Sequence, residues 1–127
     1  MLLIKNGLIH NAVRRTPFMA DILVDNKRII KIEPDIVRDG AEVYDAAGAE
    51  IYPGFVEAHA HTGLSGYGIG YEGHDYNELG DIISPQLRAI DAIEPRDETL
   101  AEARNAGVTT LCVGPGSANV LGGTFAA

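Results

Sequence analysis

With 127 residues, a net charge of −8 and 46% hydrophobic residues, the chain has the size and composition of an ordinary soluble globular domain. Eighteen acidic residues against ten basic ones repel phosphate backbones and anionic membrane surfaces, which argues against nucleic-acid and membrane partners. The apolar runs fall far short of the roughly 20 residues of a membrane span, and Met1–Gly7 has no basic segment followed by an apolar one, so a cytoplasmic protein is expected.

From Leu2 to Pro53, short apolar stretches alternate with turn residues, a pattern of strands rather than helices. The predicted strands are Leu2–Ile9, Ala20–Val24, Arg28–Ile32, Glu42–Asp45 and Glu50–Tyr52. The run Ile22-Leu23-Val24-Asp25-Asn26-Lys27-Arg28-Ile29-Ile30-Lys31-Ile32 sets two β-branched segments around Asp25-Asn26. Those side chains tolerate the left-handed turn conformation, so the run reads as a hairpin. His10, after the first strand, reads as a surface residue.

The pattern changes at Pro53-Gly54, which we take as a domain boundary, with 1–53 and 54–127 on either side. Phe55–His61 is one extended run and predicts a strand. Residues 62–94 carry Gly63, Gly66, Gly68, Gly70, Gly73 and Gly80 and show no long period, apart from a short helical stretch around 86–92. Structureless connections of this length are usually functional loops.

Glu94-Pro95-Arg96-Asp97-Glu98 has the proline and acidic residues of a helix start, and Leu100 and Ala103 follow at helical spacing to a stop at Gly107. Val108–Val113 then predicts a buried strand. Cys112 within it is the chain's single cysteine, which rules out an internal disulfide and reads as a packed, unreactive thiol suited to a reducing compartment. Strand 55–61, helix 96–106 and strand 108–113 make one βαβ unit, hence a parallel sheet covered by its helix. One such unit cannot bury its own sheet faces. A parallel barrel needs roughly 250 residues, so the 127 residues are expected to be a truncated part of one.

His59 and His61 carry the clearest chemistry. Side chains alternate across a strand, so both imidazoles leave on one side while Ala60 points away. Neutral imidazole binds zinc, iron, nickel or cobalt, and the end of a barrel strand is where such barrels hold their active sites. Taken without context, the same His-Ala-His pattern is also what two half-exposed strand histidines would show.

The stretch Ile51-Tyr52-Pro53-Gly54-Phe55-Val56-Glu57-Ala58-His59-Ala60-His61 resembles the segment that opens the barrel in the metal-dependent amidohydrolase superfamily, with Glu57 where an aspartate is common. The preceding strands resemble that family's composite β-sandwich, and Ala103-Arg104-Asn105-Ala106-Gly107-Val108-Thr109-Thr110 resembles its second helix-to-strand join. Gly114-Pro115-Gly116-Ser117-Ala118-Asn119-Val120-Leu121-Gly122-Gly123 is most similar to the imidazolonepropionase-like branch.

The resemblance implies an α/β chain: part of an N-terminal β-sandwich over 1–53, then the first βαβ of a TIM-type (β/α)8 barrel over 54–127. It also implies hydrolysis of a C–N bond in an amide, cyclic amide or peptide. His59 and His61 would hold a divalent metal, zinc foremost, with iron, nickel, cobalt or manganese as alternatives. The family's remaining ligands and catalytic base have no counterpart among these residues and are expected beyond Ala127, so the chain alone is expected to be inactive. A deaminase of the same superfamily, or an inert self-associating chain, are the other readings. The partners expected are a small-molecule substrate and further copies of the chain.

Two glycine-rich stretches carry competing readings. Gly68-Ile69-Gly70-Tyr71-Glu72-Gly73 matches a dinucleotide-binding pattern by letter but lacks the strand before it and the apolar helix after it. In 114–123, without the Lys-Ser/Thr of a phosphate loop, Ser117 and Asn119 are candidates for substrate contacts beside plain turn chemistry. His74 among Glu72, Asp75 and Glu78 could suggest a second metal cluster, but a solvated loop accounts for the same residues.

Overall fold

The two short apolar runs of Leu2–Ile9 form β1, the central strand of the first of two units that a computed structural model describes over residues 1–127. This unit, Met1–Pro53, is a single five-stranded sheet built with β2 (Phe18–Asp25), β3 (Arg28–Glu33), β4 (Glu42–Asp45) and β5 (Glu50–Ile51). The order is β3-β2-β1-β4, and β5 pairs with β1 beyond the end of β4. β1 and β2, and β2 and β3, run antiparallel, whereas β4 and β5 are parallel to β1. Where the sequence reading expected part of a β-sandwich, this unit is one sheet.

β1 changes its facing part-way along. Ile4 pairs with Ile22 but Gly7 with Ala20, so one extra residue, Asn6 with φ 59°, forms a bulge. The bulge keeps Ile4 and Ile9 on one face, where Ile9, Ala20 and Ile22 are buried, although their numbers differ in parity. Leu3, Leu23 and Ile36 form the buried cluster of the other face. An amide left over by the bulge needs an acceptor, and Asp21 supplies it. Its Oδ1 accepts from Asn6 N at 2.9 Å and its Oδ2 from Ile36 N at 2.9 Å, with Lys5 Nζ at 3.6 Å. Asp21 is only 3% exposed, so these three partners are what make a buried carboxylate tolerable.

The predicted hairpin forms, one residue later than the sequence suggested. Asp25 pairs with Arg28, leaving Asn26 (φ 47°) and Lys27 (φ 63°) as a two-residue turn with both φ positive. His10 is not a plain surface residue. Its backbone N–H donates to Ile51 O at 2.8 Å and its ring stacks on Tyr52 at 4.1 Å.

The second unit, Gly54–Ala127, holds β6 (Phe55–Ala60), α1 (Glu98–Asn105) and β7 (Val108–Val113). β6 and β7 pair in parallel from Phe55 opposite Val108 to Ala60 opposite Val113, and α1 provides the crossover. The helix begins at Asp97, whose carboxylate accepts from Thr99 N at 2.9 Å, so Pro95 and Arg96 lie before it rather than in its first turn. The same carboxylate accepts the Tyr67 N–H at 3.3 Å, tying the long loop to the helix start.

Three expectations are adjusted. β6 ends at Ala60, with His61 just beyond it, and the helical stretch near 86–92 is a single 3₁₀ turn over Ala89–Asp91. In β7 only Val113 is fully buried and Cys112 is half-buried, because a two-stranded sheet leaves most of each face uncovered. The core of this unit is Leu64, Ala89 and Val113, with Ala60, Tyr76, Leu111 and Ala126 packed around them. The chain returns to that core at its end, where Val113 and Ala126 exchange both backbone hydrogen bonds at 2.8 Å.

Candidate metal centre

The β6–β7 ladder sets the backbone at the histidine pair. The ladder continues one step past Ala60, because Gly114 N donates to Ala60 O at 3.0 Å, and this brings the Gly114 carbonyl beside His61. His61 Nδ1 lies 2.7 Å from that carbonyl oxygen. A carbonyl only accepts, so Nδ1 carries the proton, and the lone pair of the neutral ring is on Nε2. This is the arrangement in which a backbone carbonyl fixes the tautomer and aim of a metal-ligating imidazole.

His59 and His61 leave the strand on a common side, with ring centroids 5.3 Å apart and planes at 86°. His59 is exposed and its backbone N–H donates to Glu57 Oε1 at 3.0 Å, while His61 is half-buried. Aromatic rings bracket the pair. Phe125 meets His59 edge-on at 5.2 Å, and Tyr76 lies nearly parallel to His61 at 5.3 Å and 15°.

The donor set fits a divalent ion as two of its ligands: two imidazoles with ring centroids 5.3 Å apart, one with its Nδ1 engaged by a backbone carbonyl so that Nε2 faces away from that bond. No third histidine, cysteine or carboxylate converges with them. A tetrahedral ion held by this pair would keep two positions for other ligands.

The other sequence candidates lie elsewhere. His74 sits between the rings of Tyr71 and Tyr76, at 5.7 and 5.2 Å, and not in a knot of carboxylates. Gly68, Gly70 and Gly73 frame a 3₁₀ turn over Tyr71–Gly73, with neither the strand nor the helix a dinucleotide site requires. Asn119 uses its amide as a tie between loops, donating to Glu78 O and Asp81 O at 2.8 Å each, and Ser117 is exposed in the same turn. A cavity of about 270 Å³ is lined by Leu64, Tyr76, Asn77, Leu87, Ala89 and Pro115 among others, and by neither histidine of the pair.

Sequence reading missed Gly114, Tyr76 and Phe125. The contribution of Gly114 comes from its backbone, which its letter does not show. An aromatic residue within a glycine-rich loop was the available signal for Tyr76.

No family model matches the chain. It is 36% identical over 111 residues to the amidohydrolase tasK of Hapsidospora irregularis, a match spanning 84% of this chain and 11% of that protein. It is 43% identical over 61 residues to a dihydroorotase of Streptococcus pneumoniae, spanning 48% of this chain and 14% of that protein. The crystal structure of an amidohydrolase from Thermotoga maritima superposes with a TM-score of 0.90 at 38% identity, covering 97% of this chain and 32% of the other. The chain therefore spans between about a tenth and a third of the length of these relatives.

Proposed function

Because the chain belongs to the metal-dependent amidohydrolase superfamily, we infer that His59 and His61 are a pair of ligands to a divalent metal in an enzyme that hydrolyses C–N bonds. The observation that carries this is the 2.7 Å hydrogen bond from His61 Nδ1 to Gly114 O, which leaves Nε2 as the free donor beside His59. Imidazole ligands suit zinc first, with iron, nickel, cobalt and manganese as the alternatives.

When bound, such an ion supplies Lewis acidity to a water molecule and to the scissile carbonyl. The chain's own residues do the positioning. Gly114 O holds His61 in one tautomer, and Glu57 fixes the backbone at His59. Phe125 lies edge-on beside His59 and Tyr76 nearly parallel to His61, so that each ring of the pair has an aromatic neighbour.

The parallel pairing of β6 and β7 through α1 supports reading Gly54–Ala127 as the first βαβ of a TIM-type barrel, and Met1–Pro53 as part of a composite β-sandwich. The substrate class is a small amide, cyclic amide or peptide. A deaminase of the same superfamily would use the same histidine pair. With two of four tetrahedral positions supplied by protein, this chain alone holds the ion weakly and turns over nothing. Phe55 and Val56 are 54% and 68% exposed on β6, which supports association with further apolar surface, including other copies of the chain.

The test is a Zn²⁺ titration of the 127-residue chain beside His59→Ala and His61→Ala. One ion per chain is expected, with affinity falling on the order of tenfold or more in each variant, as for lost ligand-shell contacts. Equal affinity in the wild type and His61→Ala would remove the basis of the assignment.

A further inference from the structure

The connection between β6 and α1 is largely exposed: Tyr67, Ile69, Tyr71 and Leu79 are each more than half accessible, at 51%, 65%, 73% and 78%. Tyr76, in the same connection, behaves differently. It packs against the Leu64–Ala89–Val113 core, and its ring lies nearly parallel to that of His61, with centroids 5.3 Å apart and planes at 15°.

Its backbone is pinned from two sides. Asp75 N donates to Leu64 O at 2.8 Å in the loop after β6, and Gly116 N donates to Tyr76 O at 2.5 Å from the loop after β7. Position 116 must be glycine for this to happen. A Cβ there would stand 2.8 Å from Tyr76 Cδ2 and collide with the Asn77 amide oxygen. Two separate loops thus converge to seat a single ring.

That ring meets a specific need. The hydrogen bond from His61 Nδ1 to Gly114 O fixes the proton but permits the imidazole to swing about the bond, carrying Nε2 with it. A flat surface against one face of the ring stops that motion.

We propose that Tyr76 is the positioning residue of His61, holding the orientation of the imidazole and its Nε2 through its nearly parallel ring. The proposal rests on His59 and His61 being metal ligands. It assigns the effect to the ring and not to the phenol hydroxyl, which lies 3.4 Å from His74 Nδ1. Phenylalanine is therefore an adequate replacement and leucine is not.

The experiment compares the 127-residue wild type with Tyr76→Phe and Tyr76→Leu. Co²⁺ binding is read by calorimetry and visible absorption, and the side-chain proton and nitrogen signals of His61 are read by NMR without metal. Tyr76→Phe should bind within about twofold of the wild type and Tyr76→Leu about tenfold more weakly, the range seen when support of a ligand is lost. In the metal-free chain, ring-to-ring NOEs and an upfield shift of the His61 carbon-bound protons should appear in the wild type and Tyr76→Phe only.

Unchanged Co²⁺ affinity in Tyr76→Leu overturns the proposal, and so does a loss in Tyr76→Phe equal to that in Tyr76→Leu. Should Tyr76→Leu fail to fold, missing ring contacts in the wild type, or weakened binding in Tyr76→Phe, overturn it equally. If the wild type binds no Co²⁺ through His61, the ligand assignment fails on its own, and the NMR signals still report whether Tyr76 fixes the imidazole.

Discussion

Replacing Asp97 with alanine removes three acceptor contacts at the start of α1: the Thr99 N–H at 2.9 Å, the Thr99 hydroxyl at 2.5 Å and the Tyr67 N–H at 3.3 Å. Loss of a side-chain N-cap costs about 1 kcal/mol. The longer Tyr67 contact adds about 0.5 kcal/mol, for an expected loss of about 1.5 kcal/mol at neutral pH. An eight-residue helix has little stability of its own, so the loss should appear both in urea unfolding followed by tyrosine fluorescence and in faster exchange of the α1 amides.

The pH dependence gives a second, independent reading. The hydroxyl and the N–H of Thr99 favour the charged carboxylate and, against an opposing effect of burial, hold the Asp97 carboxyl below its ordinary value. A depressed folded pKa means that the stabilisation is complete above the unfolded value, near 4, and is lost as the pH falls through the lower folded value. Asparagine keeps a capping oxygen but cannot take up that proton. Asp97→Asn should therefore retain most of the stability at pH 7 and lose less than the wild type below about pH 4. Asp45, Asp91 and Glu94 also titrate low through their own hydrogen bonds, so the informative quantity is the difference between the two acid slopes. An Asp97→Ala variant as stable as the wild type at pH 7, or an Asp97→Asn variant with the full acid slope, would show that this carboxylate does not anchor the helix.

Two further changes probe the first unit. Asp21→Asn replaces one acceptor oxygen with an NH₂ group facing a backbone N–H, leaving either Asn6 or Ile36 without its partner. An unfolding free energy lower by about 1–3 kcal/mol is expected, and denaturant melting would measure it. Lys27→Gly relieves a side chain held at φ 63° in the β2–β3 turn, and should raise stability by about 0.5–1 kcal/mol in the same assay.

Strand positions were readable wherever a short apolar stretch is set off by turn residues. Leu2–Ile9, Glu42–Asp45 and Val108–Val113 have the limits expected from that pattern, because glycine, asparagine and proline beside a short apolar run mark where the chain turns. Burial was harder to read. The apolar letters of β7 suggested a closed core around Cys112, but burial depends on how many strands and helices cover a sheet, which no local pattern records. The short helix near 86–92 shrank to the turn Ala89–Asp91 for a related reason: the backbone leading into it is held by bridges to distant residues, with Ile83 beside Leu121 and Arg88 beside Thr124. His10 was misread because its stacking partner, Tyr52, lies 42 positions away and meets it only through the pairing of β1 with β5. At the candidate site the His59–His61 spacing was visible as letters. The carbonyl of Gly114 and the ring of Tyr76 required the fold.

The bulge at Asn6 links the length of one strand to the charge on its neighbour. A version of β1 one residue shorter would keep Ile4 and Ile9 on the same side without any irregularity, but it would have no spare amide to offer, and an aspartate at position 21 would lose one of its two backbone donors. Among related chains, gain or loss of that single residue should therefore go together with gain or loss of the acid opposite, so that an alignment gap in one strand forecasts a substitution in the next.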